Sequence, residues 1–285
     1  MTAHNSVDES ILGSLREALL GHGLPGEVEG FGEAEQQDAA AFIAATAAQR
    51  RPGELAMRLE SSGGEVGRRR MRLGIVNDDM PFLVDSIAGT ISARGLAVHR
   101  LLHPILNVVR DAGGRLVSIG GEAAGAKAES IIYIELDRAD ARVRHELEHE
   151  LVDVLAAVRA AVSDWPRMTQ RMVDDAAGLD ERDVEGAALL HWLADNHFTL
   201  LGHANLGDNG EADGGLGVLR RDIDLWEGDD GGVFEHLGKA RWPVQILKAD
   251  RLSPVHRRVP LDVILVRHPR GGTSIYAGLW TSAAL

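Results

Sequence analysis

The spacing of apolar positions divides the chain into a helical lead and two mixed stretches. Residues 8–20 and 35–50 repeat apolar side chains at helical intervals, the second as Ala39-Ala40-Ala41-Phe42-Ile43, with a Gly/Pro-containing stretch from Gly21 to Gly32 between them. Arg51-Pro52-Gly53 ends the second helix. The polar loop Ser61-Ser62-Gly63-Gly64 and the run Arg68-Arg69-Arg70 close this lead, the arginines reading as a solvated loop or strand entry.

From Met71 strands and helices alternate. Leu73–Val76 predicts a strand, and Met80–Arg94 a helix with Leu83, Ile87 and Ile91 four residues apart and Gly95 as its stop. A long strand over Leu96–Val109 turns at Asp111-Ala112-Gly113-Gly114 into Leu116–Ile119. Ile131–Leu136 is a further strand and Ala141–Val162 an amphipathic helix. The order βαβββα predicts an α+β sandwich with helices on one face. Trp165–Val173 has no strand periodicity, so a closing fourth strand is expected from elsewhere in the chain or from another subunit.

Asp164-Trp165-Pro166 is expected to break the chain. A second unit then offers a helix at about 181–196, strands Thr199–Leu206 and Leu216–Arg220, and a loop over Gly228–Gly232. A helical piece within 233–248 and a hairpin of Leu261–Arg267 with Thr273–Trp280 complete it. These patterns predict a helical segment over 1–69, a first α+β domain over 70–165 and a second over 166–285. The apolar ending Thr281–Leu285 reads as an excision from something longer.

Composition narrows the function classes. The 285 residues suit about two domains. With 45% hydrophobic and 26% charged residues, the chain has enough apolar material for buried cores. Thirty Lys+Arg against 43 Asp+Glu leave a net charge of −13, which argues against nucleic acid as a partner. No cysteine is present, so disulfides, thiolate nucleophiles and Cys-ligated metals are excluded. Met1–Gly23 lacks the basic and apolar regions of a signal peptide and no membrane span is indicated, so a cytoplasmic location is expected.

The loudest motif is His145-Glu146-Leu147-Glu148-His149, which matches H-E-x-x-H and by itself suggests a zinc metallopeptidase. On its helix, however, the core stripe runs through Val143, Leu147, Leu151, Val154, Val158 and Val162, placing both histidines on the water side. Residues 152 and 155 are Val and Leu, so no third histidine follows at the expected spacing. No metal site is therefore expected. Gly21-His22-Gly23-Leu24-Pro25-Gly26 matches G-x-G-x-x-G but follows a helix, and reads as a helix stop. Gly238-Lys239 lacks the rest of a phosphate loop, and G-x-S-x-G is missing.

The remaining candidate is the strand–helix turn Asn77-Asp78-Asp79-Met80-Pro81-Phe82, with Asp85 just beyond. Pro81 suits a first helical turn, Asp79 is a natural N-cap, and free backbone N–H groups there can take a ligand carboxylate. Alternatively, Asp78 and Asp79 cap the helix and satisfy those donors themselves.

The segment Leu73-Gly74-Ile75-Val76-Asn77-Asp78-Asp79-Met80-Pro81-Phe82-Leu83-Val84-Asp85-Ser86-Ile87, followed by Val98–Leu106 and Arg110-Asp111, resembles the N-terminal region of the large bacterial NAD-specific glutamate dehydrogenases. Gln49-Arg50-Arg51-Pro52-Gly53-Glu54, Trp192–Gly202 and Gly278–Ala284 fit the same pattern. The resemblance implies ACT-like domains with the ferredoxin-like βαββαβ order, which bind amino acids or join subunits. It further implies a regulatory and oligomerisation role in a homo-oligomer, with a small amino-acid effector as possible ligand and Asn77–Phe82 with Asp85 as its site. Catalytic residues and NAD then belong to the parent enzyme, and this segment carries neither. A stand-alone amino-acid-sensing module is the alternative. Amino-acid-binding members have glycine where this chain has Phe82, which speaks against a ligand site in the turn.

Overall fold

Alternation along one strand, β2 (Arg70–Asp78), organises the first half of the chain. The computed structural model describes residues 9–21, 23, 25–63, 70–120, 125–179, 183–207, 212–226, 242–269 and 271–281. The chain divides into two units, Met1–Val152 and Asp153–Leu285.

In the first unit the lead forms α1 (Glu9–Gly21), the short α2 (Pro25–Val28) and α3 (Glu33–Ala47), followed by β1 (Ala56–Ser62) and β2. Then come α4 (Leu83–Ala93), β3 (Val98–Leu102), β4 (Ile105–Arg110), β5 (Leu116–Ile119), β6 (Lys127–Asp137) and the long α5 (Ala141–Leu179). The antiparallel sheet runs β1-β2-β6-β4-β5, with β3 sharing the β4 edge of β6. The expected single strand over 96–109 is therefore two, parted at His103-Pro104, where proline has no N–H for the ladder.

The closing strand comes from upstream. β1 lies in the segment expected to be helical and pairs with β2 in register from Ala56↔Val76 to Ser62↔Arg70. It takes the edge that the last strand of a βαββαβ module would occupy, so the chain order is permuted and no other subunit is needed.

The sheet is covered on both faces, not one. Even-numbered β2 residues meet the lead: Val76, Ile131 and Tyr133 join Leu15, Leu19, Phe42 and Ile43 in one buried cluster. Gly74 lets α3 settle on the strand, because a Cβ there would stand 2.9 Å from the Phe42 ring and 3.0 Å from the Thr46 hydroxyl. On the opposite face Met71, Leu73, Ile75, Ile132, Ile134 and Leu136 are fully buried. The apolar stripes Leu83/Ile87/Ile91 of α4 and Leu147/Leu151 of α5 are buried to the same degree. Arg94 ties the two helices through Glu146 (2.6 Å) and Glu150 (2.8 Å).

The expected break at Asp164-Trp165-Pro166 does not occur, and α5 runs through Pro166. Asp164 is nevertheless fixed in the second unit, accepting from the Gly217 amide (2.8 Å) and Arg220 Nε (2.7 Å). That unit continues with α6 (Val184–Trp192), a π-turn over Leu193–His197, and strands β7 (Phe198–Leu206), β8 (Ala212–Gly217), β9 (Val244–Leu252), β10 (Pro260–Arg267) and β11 (Thr273–Trp280). Its antiparallel order is β8-β7-β11-β10-β9, which does not reproduce the ferredoxin-like arrangement among the described strands. Residues 244–248, expected within a helical piece, are strand, paired along β10. Residues 227–241, including the Gly/Asp loop and Gly238-Lys239, lie outside the described residues. The terminal hairpin stands as expected.

Candidate functional site

The turn after β2 brings its acids together with partners that sequence reasoning passed over. Asn77 and Asp78 end the strand, Asp79 and Met80 follow, and Pro81-Phe82 turn into α4, with Asp85 in its first helical turn. The helix thus begins at Leu83, later than expected, and its N-cap is Phe82 rather than Asp79. Phe82 sits at φ 71°, ψ 2°, in the left-handed region. The backbone therefore keeps the shape a glycine would give it, with a bulky side chain bearing the strain.

Both aspartates are engaged. Asp78 accepts from Arg50 Nη2 at 2.8 Å and from the Gly53 amide at 2.9 Å. Asp79 Oδ1 accepts from the Ser130 hydroxyl at 2.7 Å, and that hydroxyl also lies 3.0 Å from His103 Nε2. Burial holds the His103 imidazole below its ordinary pKa, with the Asp79 charge opposing. Serine stands between histidine and aspartate here, so this is not a nucleophile–base–orienter relay.

Beneath the turn lies a buried ionic cluster. Glu129 accepts from Arg50 Nη2 at 2.7 Å and, through both oxygens, from Arg110 Nε and Nη2 at 2.8 Å each. Burial pushes the Glu129 carboxyl up, and hydrogen bonds from Arg110 and Arg50 more than offset it, leaving the group below its ordinary range. Arg50 also donates to Glu54 O, and Arg110 to Ala47 O and Gly114 O. The cluster therefore fastens the end of α3 and the β4–β5 turn to the sheet. Gly114, at φ 90°, permits the approach: a Cβ there would stand 2.6 Å from Arg50 O. The turn is a locked corner. One signal in the sequence pointed here, an acid, Glu129, entering the apolar run Ile131–Leu136.

His145 and His149 are exposed, as expected, with their Nε2 atoms 3.1 Å apart. Glu146, which a metallopeptidase would need as general base, is held by Arg94 at 2.6 Å and Arg142 at 3.3 Å. Among the described residues no three His, Asp or Glu converge as a metal site. No helix of the described residues is long and apolar enough to cross a membrane.

Two other stretches quoted for the resemblance meet in space. Trp280 pairs with Phe198 across β11 and β7, the two rings packing edge to face at 5.5 Å, and Trp192 stacks on His197 at 4.3 Å. The Thr281 hydroxyl donates to Asn196 O at 3.2 Å.

Residues 17–151 match the model of the glutamate dehydrogenase ACT1 domain. The NAD-specific glutamate dehydrogenase of Pseudomonas aeruginosa is 31% identical over 238 residues, 73% of this chain and 15% of that protein. The Halomonas elongata enzyme of the same name is 34% identical over 144 residues, covering 46% of the chain and 9% of the relative. That of Mycobacterium tuberculosis is 30% identical over 168 residues, 52% and 10% respectively. The chain thus spans about a seventh or less of the length of these relatives. A solved RNA-binding light-oxygen-voltage receptor aligns over 93% of the chain and 85% of its own, at a TM-score of 0.20 and 10% identity, too low to bear on the fold. Residues 17–151 form a glutamate dehydrogenase ACT1 domain, and the chain belongs with the N-terminal region of the large NAD-specific glutamate dehydrogenases.

Proposed function

We propose that this chain is a regulatory and assembly segment of a large, cytoplasmic NAD-dependent glutamate dehydrogenase. The parent reaction is oxidative deamination of L-glutamate to 2-oxoglutarate and ammonia with NAD. The segment supplies neither catalytic residues nor the nicotinamide site. The observation that carries this reading is the ACT1 match over residues 17–151, centred on a strand–helix–strand unit whose turn aspartates are held by Arg50, Gly53 and Ser130. The end strand β5 is bridged at its start by Gln49 to Arg115, with the Leu116 amide donating to Ala48 O, and beyond this Val117 is 53% exposed, which supports a role in joining copies through their sheets.

The test compares the full-length polypeptide with a form lacking the region corresponding to residues 1–285. Loss of oligomeric order by analytical ultracentrifugation, or loss of effector response, with glutamate-dependent NAD reduction retained, is the expected result. Unchanged assembly and regulation would sink the proposal.

A further inference from the structure

The histidine pair on α5 lacks what a peptidase needs and yet has the geometry of a simpler site. We infer that His145 and His149 form a two-donor chelate for a divalent transition-metal ion of the Zn²⁺, Ni²⁺ and Cu²⁺ class, on the solvent face of the helix. The missing third ligand rules out a catalytic centre, not a chelate.

Residues four apart on a helix stand one turn above each other, so their side chains project from the same face. Here the two rings meet edge to face with centroids 4.3 Å apart, and their Nε2 atoms are 3.1 Å apart. An ion bound to both nitrogens at the usual Zn–N length of about 2.0–2.1 Å would see them at an angle of roughly 100°, between the octahedral and tetrahedral values. The turn that carries the pair is fixed from behind. Leu147 and Leu151 are fully buried, and Arg94 holds Glu146 at 2.6 Å and Glu150 at 2.8 Å. The backbone separation of the two histidines is therefore set before any ion arrives, and only side-chain torsions remain to be ordered.

Without metal the Nε2 contact holds one proton as an N–H···N bond, which at an exposed position competes with water and contributes little. A metal replaces that proton with two coordinate bonds, and the proton passes through solvent to Nδ1 of its own ring. Both rings are exposed, so the ion enters directly from water and keeps water in its remaining positions. Imidazole nitrogen selects the class. Nickel, copper and zinc take it readily, whereas magnesium and calcium require oxygen donors. Glu146 is occupied by Arg94 and Arg142 and supplies no third ligand.

The test is calorimetric titration of the 285-residue chain with Zn²⁺ and with Ni²⁺, and with Mg²⁺ as the comparison ion. Zinc and nickel are each expected to fill one tightest site per chain, with Mg²⁺ at least about tenfold weaker. His145→Gln and His149→Gln should each weaken that site by about tenfold or more, since even the outer partners of a metal ligand are worth that much. Both positions are exposed, so neither variant endangers the fold. His191→Gln alters an exposed histidine of α6, outside the pair, and should leave the affinity unchanged. Zinc and nickel binding no tighter than Mg²⁺, an affinity unmoved by His145→Gln or His149→Gln, or an equal loss in His191→Gln would each overturn the inference.

Discussion

Glu129 and His203 are equally hidden from water, at 2% and 1% exposure, yet the protein treats them in opposite ways. Glu129 keeps its charge because three guanidinium N–H groups of Arg50 and Arg110 surround it. His203, on β7 in the second unit, has no hydrogen-bond partner for either ring nitrogen among the described residues and packs its ring 4.8 Å from that of Tyr276. Burial is the main cause that lowers its pKa to about 4, with Asp175 opposing and Arg171 and His268 adding to it. Burial disfavours the charged form at both sites; the neighbours decide whether that form survives. In the first unit they make a charged latch, and in the second a neutral filler.

The sharpest way to break this contrast is to remove the acid. Glu129→Ala leaves Arg50 and Arg110 charged and buried, and should cost about 3–5 kcal/mol in urea unfolding of the first unit. A loss under about 1 kcal/mol would mean that water replaces the carboxylate and the latch is not one.

Acid separates the two residues by pH window. The folded pKa of His203 lies below its unfolded value of 6.5, so the unfolded chain binds more protons between the two. Its contribution is whole above pH 6.5 and falls by up to roughly 3 kcal/mol as pH drops to about 4. Glu129 is also depressed, so its contribution holds above its unfolded pKa near 4.5 and is lost only as pH falls further, through the folded value. His203→Phe should flatten the upper window and leave the lower one; a stability curve unchanged between pH 6.5 and 4 would refute the neutral-filler account.

Backbone positions sharpen the comparison without touching charge. Gly74→Ala pushes a methyl against Phe42 and Thr46 and should cost about 1–3 kcal/mol, reporting how firmly α3 is seated on β2. At Phe82 the left-handed backbone strains any side chain, so Phe82→Gly should exceed Phe82→Ala in stability by about 1 kcal/mol. Equal melting temperatures for the two would show the strain to be spent elsewhere.

The apolar periodicity made most elements legible, because each strand or helix that buries one face repeats at its own interval. Leu83, Ile87 and Ile91 marked α4, and the terminal hairpin was clear from Leu261 to Trp280. β1 was missed because Arg58 and Glu60 alternate with only one buried apolar residue, Leu59, on an edge strand. α5 outran its expected end because Asp164 is engaged by Gly217 and Arg220, contacts beyond the reach of any local signal at Trp165-Pro166. The turn acids were legible as a group, but their partners Arg50, Gly53 and Ser130 come from two other segments. The order of those pairings is a property of the fold.

The upstream origin of β1 has a consequence for synthesis. In the unpermuted order the sheet would wait for its edge until after the second helix had been made. Here every strand of the first sheet has been translated by Asp137, before the first residue of α5 follows. The edge is contributed by a neighbour only a loop away, Ser62 opposite Arg70, so its closure is local and fast. A nascent chain emerging from the ribosome can thus finish its first sheet, and hide the β2 edge from other nascent chains, while the rest of the polypeptide is still being made.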